Sequence, residues 1–245
     1  MAFYLLVSHG SNDPRPDIAM QKLAQWVANK LSPGKNLVGT ATLELNSQPL
    51  HQQIQTFIHT LKTSHDQQND QHLIIIPLFL LPGVHVTQDI PNEVNLAQRA
   101  VNGQITLELR PYLGSHPEII NLLLQMINHL NCQANILLAH GSRLAASQIL
   151  VENIAANIGA FPAFLRREGS LELQVQKLVK CGYRQIAILP YFLFPGGITD
   201  AIAATVEKLK LQFPQVCFPL ANTLAEQETF PGLIYQIIKE EKTLG

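Results

Sequence analysis

Three ionisable side chains in the amino-terminal half each follow an apolar segment of strand type. His9 follows "FYLLVS", Glu44 stands in "TATLELN", and His85 stands in "FLLPGVHVTQDI". Strand propensity gives no reason for an ionisable side chain at these positions. Two neutral imidazoles and one carboxylate suit a borderline divalent metal such as Fe²⁺, Co²⁺ or Ni²⁺, and the same groups accept protons near neutral pH. The trio predicts a metal or proton-transfer site, although a single histidine after a strand is more often a helix cap or a satisfied core group.

Short apolar segments alternate with longer segments of helical period along the whole chain. The predicted strands are residues 3–7, 37–45, 73–79, 105–109, 136–139, 161–165, 185–192 and 216–220. Nearly continuous apolar character indicates strands that are covered on both faces, as in a parallel sheet. The pattern predicts an α/β fold, in which ligands bind beyond the carboxyl ends of the strands. Because those ends are neighbours in a parallel sheet, His9, Glu44 and His85 are expected to converge.

The chain contains an internal repeat. "HGS" follows an apolar strand at His9 and again at His140, and "PLFLLPG" at residues 77–83 matches "PYFLFPG" at residues 190–196. The repeat predicts two similar domains, each a four-stranded parallel sheet flanked by helices, with an active-site cleft between them. The predicted boundaries are 1–114 for the catalytic half and 115–245 for the degenerate half, with a bridging helix over 116–130.

The second copy keeps one member of the trio and replaces the other two. The aligned pairs are His9 with His140, Glu44 with Arg166, and His85 with Ile198. A purely structural role in the shared fold predicts retention in both copies. The asymmetry therefore favours a functional site in the first half.

Composition narrows the class of function. The formal net charge is −1, which predicts no binding to nucleic acid or to a membrane surface. The three cysteines are isolated, which disfavours a thiolate metal site, a disulfide framework or an iron–sulfur cluster and favours the cytoplasm. The longest apolar segments contain prolines and are too short to span a bilayer, and the amino terminus lacks the features of a signal peptide.

Several motifs together resemble the class II chelatases. They are "LLVSHGSNDPR", "LEL", "IPLFLLPGVHVTQDIP", the strand end "PYLGSHP" and the degenerate second copy. The chain is most similar to the sirohydrochlorin chelatases of siroheme and cobalamin biosynthesis, in their long form with two fused halves, and the resemblance covers essentially the whole chain. It implies insertion of a divalent metal, Fe²⁺ or Co²⁺ with Ni²⁺ also open, into sirohydrochlorin with loss of two pyrrole protons. The metal is then a substrate, and no organic cofactor is expected.

The resemblance also implies roles for individual residues. His9 and His85 correspond to the histidines that bind the metal and take part in proton removal, and Glu44 corresponds to the assisting acid. Sirohydrochlorin carries eight carboxylates, which guanidinium groups and helix amino termini are suited to bind. The candidate substrate-binding residues are Ser11, Arg15, His140, Arg143, Arg166 and Arg167. Because the fused halves already supply two lobes, we expect a monomer with the tetrapyrrole as its partner.

Two other functions remain open from the sequence. A phosphate-handling enzyme of the histidine-phosphatase type also places a His-Gly turn after its first strand, but it needs an arginine just before the histidine, where this chain has Ser8. A non-catalytic carrier of metal or tetrapyrrole would need the same ligands as an enzyme. Only turnover separates a carrier from a chelatase.

Overall fold

The chain folds into two compact units in the computed structural model, which describes residues 2–31, 38–64, 72–101, 105–141, 144–165 and 170–240. The first unit comprises Met1–His116 and Thr229–Gly245, and the second comprises Pro117–Glu228. Each unit is a parallel sheet flanked by helices, so the predicted α/β class is confirmed. None of the helices within these described ranges combines the length and the apolar character needed to cross a bilayer.

The first unit is built on four strands, β1 (Ala2–Ser8), β2 (Val38–Thr42), β3 (His72–Pro77) and β4 (Thr106–Leu109). They form one sheet of order β2-β1-β3-β4 in which every pair is parallel. Its helices are α1 (Pro14–Leu31), α2 (Leu50–Ser64), α3 (Ile90–Ala100) and α8 (Phe230–Lys239). A π-helical turn, His85–Asp89, directly precedes α3.

The two central strands of this sheet are apolar on both faces. Phe3, Leu5 and Ile75 point to one face, where they form a core with residues of α2 and α3. Leu6 and Ile76 point to the other face and are fully buried as well. Alternate residues of a strand face opposite sides, so burial of both sets explains the nearly continuous apolar character of these segments.

The described residues of the second unit repeat this arrangement with one strand fewer. Its strands are β5 (Ala134–Ala139), β6 (Phe161–Phe164) and β7 (Ile186–Pro190), in the order β6-β5-β7. Its helices are α4 (Glu118–Leu130), α5 (Ala145–Asn157), α6 (Ser170–Lys180) and α7 (Gly197–Gln212).

The prediction of four strands is wrong for the second unit. Residues 216–220 lie beside β7 but join it only through two isolated parallel bridges, Gln185 with Cys217 and Ile188 with Leu220. The carbonyl of Pro219 accepts a hydrogen bond from the Ile188 N–H at 2.9 Å. Proline has no N–H to donate to a ladder, so this segment cannot continue as a regular strand.

Equivalent hydrogen bonds confirm the alignment of the two halves. The Leu43 N–H donates to the Ser8 carbonyl at 2.9 Å, and the Leu165 N–H donates to the Ala139 carbonyl at 3.0 Å. Each bond joins the end of the first strand of a unit to the residue just beyond its second strand. Leu43 and Leu165 therefore occupy equivalent positions in the two units.

The boundaries of the units differ from the predicted 1–114 and 115–245. Helix α8 packs against α1 and buries Phe230 and Ile234, so the carboxyl-terminal helix belongs to the first unit. His116 Nε2 lies 3.0 Å from Glu240 Oε2 at the end of that helix. Helix α4 belongs to the second unit, within the predicted second half, and both its bridging role and the cleft between the halves stay predictions.

Candidate metal centre

The predicted trio lies at the carboxyl end of the first sheet. His9 follows β1, Glu44 stands two residues beyond β2, and His85 begins the π-helical turn that comes after β3. Strand β1 lies between β2 and β3. The chain passes from β1 to β2 on one side and then crosses over to β3 on the other side. Such a reversal of strand order opens a crevice beyond the strand ends, where ligands of α/β proteins bind.

The three side chains converge on one point. One ligand atom from each of His9, Glu44 and His85 lies within 4.8 Å of the other two. His9 Nε2 is 3.9 Å from Glu44 Oε2, and His85 Nδ1 is 4.0 Å from Glu44 Oε1. The two imidazoles meet edge to face, with ring centroids 4.9 Å apart. Within the described part of the chain, this is the one group of three or more His, Cys, Asp or Glu side chains that could hold a metal ion.

The spacing fits a metal ion after a small adjustment. Two ligand atoms that bind one ion at about 2.1 Å lie about 3.0–3.4 Å apart. The measured pairs with Glu44, at 3.9 and 4.0 Å, must therefore close by about 0.5–1 Å, and no pair of the trio must close by more than about 1.8 Å. The side chains of His9 and Glu44 are about half exposed, at 51% and 49%, and that of His85 is 37% exposed. Exposed side chains can make such a shift at little cost, and the open side leaves room for further ligands.

A glycine allows the His9 and Glu44 loops to approach each other. The Glu44 N–H donates to the His9 carbonyl at 2.8 Å. Gly10 has a φ of +98°, and a Cβ atom at this position would overlap the Glu44 carbonyl oxygen. Leu45 also has a positive φ, 56°, a conformation that costs a non-glycine residue about 1–3 kcal/mol and is found preferentially at functional sites. The left-handed backbone at Gly10 and at Leu45, together with this hydrogen bond, thus holds Glu44 next to His9.

Asp89 holds the imidazole of His85. Asp89 Oδ2 lies 2.8 Å from His85 Nδ1, four residues away across the π-helical turn. π-helical turns inside α-helices are rare and occur mostly at functional sites. When the ionised carboxylate accepts the Nδ1 proton, Nε2 carries the lone pair that can bind a metal.

Phe79 packs beside both imidazoles. Its ring centroid is 6.2 Å from that of His9 and 6.2 Å from that of His85. Two apolar residues adjacent in sequence to the ligands, Leu45 and Val84, are 61% and 51% exposed. Phe79 and Asp89 were not among the predicted site residues. Only the position of Asp89 in the sequence could have indicated its role, because it stands four residues after His85 and so lies on the same side of a helical turn.

Two predicted substrate-binding residues lie in the loop after His9. The Ser11 hydroxyl accepts a hydrogen bond from the Asp13 N–H at 3.0 Å. The Arg15 guanidinium pairs with the Asp13 carboxylate through Nε at 3.0 Å and Nη2 at 2.6 Å, and the Arg15 N–H donates to the same carboxylate. These bonds lower the pKa of Asp13 from 3.8 to about 2. The charge of Arg15 is therefore shared with Asp13 in this structure.

The remaining predicted residues belong to the second half. Arg143, Arg166 and Arg167 lie outside the described residues. His140 is exposed at the end of β5, with its ring centroid 6.5 Å from that of Phe192. The roles predicted for all these residues, and for Ser11 and Arg15, stay predictions.

A family model named CbiX matches this chain twice, over residues 3–130 and 134–241. A sirohydrochlorin cobaltochelatase of Priestia megaterium is 26% identical over 270 residues, spanning 100% of this chain and 80% of the relative. A sirohydrochlorin ferrochelatase of the same organism is 26% identical over 191 residues, spanning 73% of this chain and 70% of the relative.

Two solved structures share the fold. SirB from Bacillus subtilis with Fe³⁺ superposes with a TM-score of 0.72 at 22% sequence identity, over 98% of this chain and 94% of that one. The cobalt complex of the sirohydrochlorin chelatase SirB from Bacillus subtilis subspecies spizizenii gives a TM-score of 0.69 at 18% identity, over 96% and 92% of the two chains. The resemblance seen in the sequence motifs is thereby confirmed, and because the family model covers both halves, this chain belongs to the CbiX family.

Proposed function

We propose that this chain is a sirohydrochlorin chelatase, which inserts Fe²⁺ or Co²⁺ into sirohydrochlorin with release of two pyrrole protons. Membership of the CbiX family and the curated relatives, a sirohydrochlorin ferrochelatase and a sirohydrochlorin cobaltochelatase, support this activity. The observation that carries the proposal is the convergence of His9, Glu44 and His85 beyond the carboxyl ends of three adjacent strands.

The ligand set suits a metal that must be released. Imidazole and carboxylate bind Fe²⁺ and Co²⁺ without the closed thiolate cage of a structural site. Glu44 and the two imidazoles occupy one side of the ion, and their exposed side chains leave the other side to the macrocycle. Asp89 fixes the ring orientation of His85 and leaves its Nε2 as a metal ligand.

Insertion requires a proton acceptor beside the metal. The four macrocycle nitrogens replace the protein ligands, and two pyrrole N–H bonds break as the metal–nitrogen bonds form. The Glu44 carboxylate and the neutral imidazole of His9 take these protons and pass them to solvent, to which both side chains are open. The same groups thus hold the metal first and accept the protons as it leaves them for the macrocycle.

The carboxylates of the substrate need donors around the trio. The proposed donors are Ser11, Arg15, His140, Arg143, Arg166 and Arg167. Arg15 reaches a substrate carboxylate by exchanging part of its pairing with Asp13, and an exchange between two carboxylates keeps the guanidinium bonded throughout. The exposed Leu45 and Val84 supply apolar contact to the flat macrocycle.

The test is an anaerobic insertion assay. Sirohydrochlorin is mixed with Fe²⁺, Co²⁺ and Ni²⁺, singly and in competition, and the absorbance of the product is followed with and without the protein. We expect Fe²⁺ or Co²⁺ to be inserted catalytically, His9→Ala and His85→Ala each to abolish insertion, and His140→Ala to have a milder effect. A carrier would bind both substrates but insert no faster than buffer, and wild-type rates in the His9→Ala/His85→Ala double variant would refute the site.

A further inference from the structure

Glu93 joins the amino ends of two helices that follow metal ligands of the trio. It lies in the first turn of α3, and its Oε2 accepts a hydrogen bond from the backbone N–H of His51 in α2 at 2.8 Å. His51 Nδ1 lies 2.8 Å from the same oxygen. Both side chains are mostly buried, with 24% of His51 and 23% of Glu93 exposed. Neither residue belongs to the trio, so the function proposed above assigns no role to this pair.

The amino end of α2 requires an acceptor from outside the helix. The first four N–H groups of an α-helix have no partner within it, and His51 is the second residue of α2. The positive end of the helix dipole favours a carboxylate at this position, but α2 has no acidic residue in its first turn. Glu93 of α3 supplies the carboxylate, so the bond that satisfies α2 also connects α2 to α3.

Gln53 connects the same end of α2 to the loop that carries Glu44. Its amide oxygen accepts a hydrogen bond from the Thr42 N–H at 3.0 Å. Its amide nitrogen donates to the Thr42 carbonyl at 2.8 Å and to the Gln48 carbonyl at 2.8 Å. Thr42 precedes Glu44 by two residues, and Gln48 follows it by four. The loop is therefore bonded to α2 on both sides of Glu44.

Burial anchors both helices in the same apolar core. Leu50 and Ile54 of α2 and Ile90 of α3 are fully buried and belong to one cluster. Apolar packing has no preferred direction, whereas a hydrogen bond has a narrow range of distance and angle. The bonds of Gln53 and Glu93 therefore fix the relative positions of the two amino ends more closely than packing does.

We propose that Gln53 and Glu93 are positioning residues of the metal centre, which act in series through the amino end of α2. Gln53 fixes the Glu44 loop on α2, and Glu93 fixes α2 on α3, which directly follows the turn that begins with His85. Together they set the separation of Glu44 Oε1 and His85 Nδ1, which lie 4.0 Å apart. This role rests on the proposed function only in that the trio must bind metal, and it does not require insertion.

The test is a Co²⁺ titration of the full chain by visible absorbance, with Glu93→Ala, Gln53→Ala and their combination. Each single variant should weaken Co²⁺ binding about tenfold, as expected when an outer support of a metal ligand is lost. Because the two links act in series, breaking either one releases the Glu44 loop from α3. The double variant should therefore bind at most about threefold more weakly than the weaker single variant, whereas independent effects would multiply to about a hundredfold.

Ile58→Val is the matched control. Ile58 lies on α2, is 2% exposed and packs in the same core, so its shortening weakens the packing of the helix without removing a polar bond. Its Co²⁺ affinity should equal that of the wild type. Glu93→Gln keeps an oxygen acceptor for the His51 N–H and should recover part of the affinity that Glu93→Ala loses.

Two results would overturn the proposal. In the first, Glu93→Ala and Gln53→Ala bind Co²⁺ as Ile58→Val does, which would mean that these bonds only stabilise the helices. In the second, the two losses multiply in the double variant. If an alanine variant folds poorly, Glu93→Gln and Gln53→Glu take its place, since each keeps part of the bonding, and their smaller losses should likewise not multiply. A wild type that binds Co²⁺ but inserts no metal would refute the proposed function alone.

Discussion

Gly10→Ala tests the approach of the two loops that bring His9 and Glu44 together. A left-handed backbone costs an alanine about 1–2 kcal/mol, and Gly10 has a φ of +98°. The new Cβ would also overlap the Glu44 carbonyl, so the loops must separate. Losing the hydrogen bond from the Glu44 N–H to the His9 carbonyl adds about 0.5–1.5 kcal/mol. The expected loss of stability is about 1.5–3.5 kcal/mol.

Gly182→Ala is the matched control for this prediction. Gly182 has nearly the same φ, +95°, but a Cβ there would meet nothing within 4 Å. It therefore carries the cost of the left-handed backbone, about 1–2 kcal/mol, without a steric clash. The difference between the two variants isolates the close approach of the loops.

The assay is a Co²⁺ titration by visible absorbance, together with urea denaturation of both variants. Gly10→Ala should weaken Co²⁺ binding by about 10–100-fold, the range seen when supports of metal ligands are removed. Gly182→Ala should bind Co²⁺ as the wild type does. Equal losses of stability in the two variants, with wild-type Co²⁺ affinity in Gly10→Ala, would refute the reasoning.

Three further predictions concern the surroundings of the trio. Asp89→Asn should lower Co²⁺ affinity about tenfold, because a neutral amide replaces the carboxylate that accepts the His85 Nδ1 proton and orients the ring. Asp89→Glu should recover part of the loss, and recovery is not expected if the residue only stabilises the fold. Leu45→Ser should raise the KM for sirohydrochlorin several-fold in the insertion assay while Co²⁺ affinity stays unchanged, and an unchanged KM would exclude contact with the macrocycle. The pKa of Asp13 is lowered to about 2, so its pairing with Arg15 stabilises the fold fully above about pH 4 and less as the pH falls toward 2. Urea denaturation should show wild type more stable than Asp13→Asn by a margin that is constant from pH 7 to 5 and mostly lost near pH 2, and a margin independent of pH would contradict the ion pair.

The sequence alone was sufficient to predict the convergence of the trio. Parallel strands place their carboxyl ends at one edge, so three ionisable residues that follow adjacent strands must lie near one another. The structural equivalence of the two "HGS" turns could also be predicted. In each turn the glycine follows a strand and must adopt the left-handed region, and both Gly10 and Gly141 do so, with φ of 98° and 83°.

Other features depended on contacts that sequence patterns do not report. The helical period of the segment after His85 predicts an α-helix, and nothing in it distinguishes the π-helical turn His85–Asp89 that brings Asp89 to the imidazole. The docking of α8 on α1 joins segments about 200 residues apart in a chain of 245 residues. Strand propensity over residues 216–220 was outweighed by the missing N–H of Pro219.

The two halves share a backbone but differ in chemistry. Both keep the histidine after the first strand, at His9 and His140, whereas Ile198 occupies the position that corresponds to His85. Ile198 is 45% exposed, so an apolar side chain stands where the first half presents an imidazole. This difference explains why the first half alone is expected to hold the metal and why His140→Ala is expected to be milder than His9→Ala.

The most direct test of the metal centre is an anomalous difference map, recorded at the cobalt absorption edge from crystals of the Co²⁺-loaded protein. The account predicts a peak bound by an imidazole nitrogen of His9, an imidazole nitrogen of His85 and a carboxylate oxygen of Glu44, each at about 2.1 Å. Loaded crystals in which the cobalt lies away from these three side chains, with no peak between them, would contradict it.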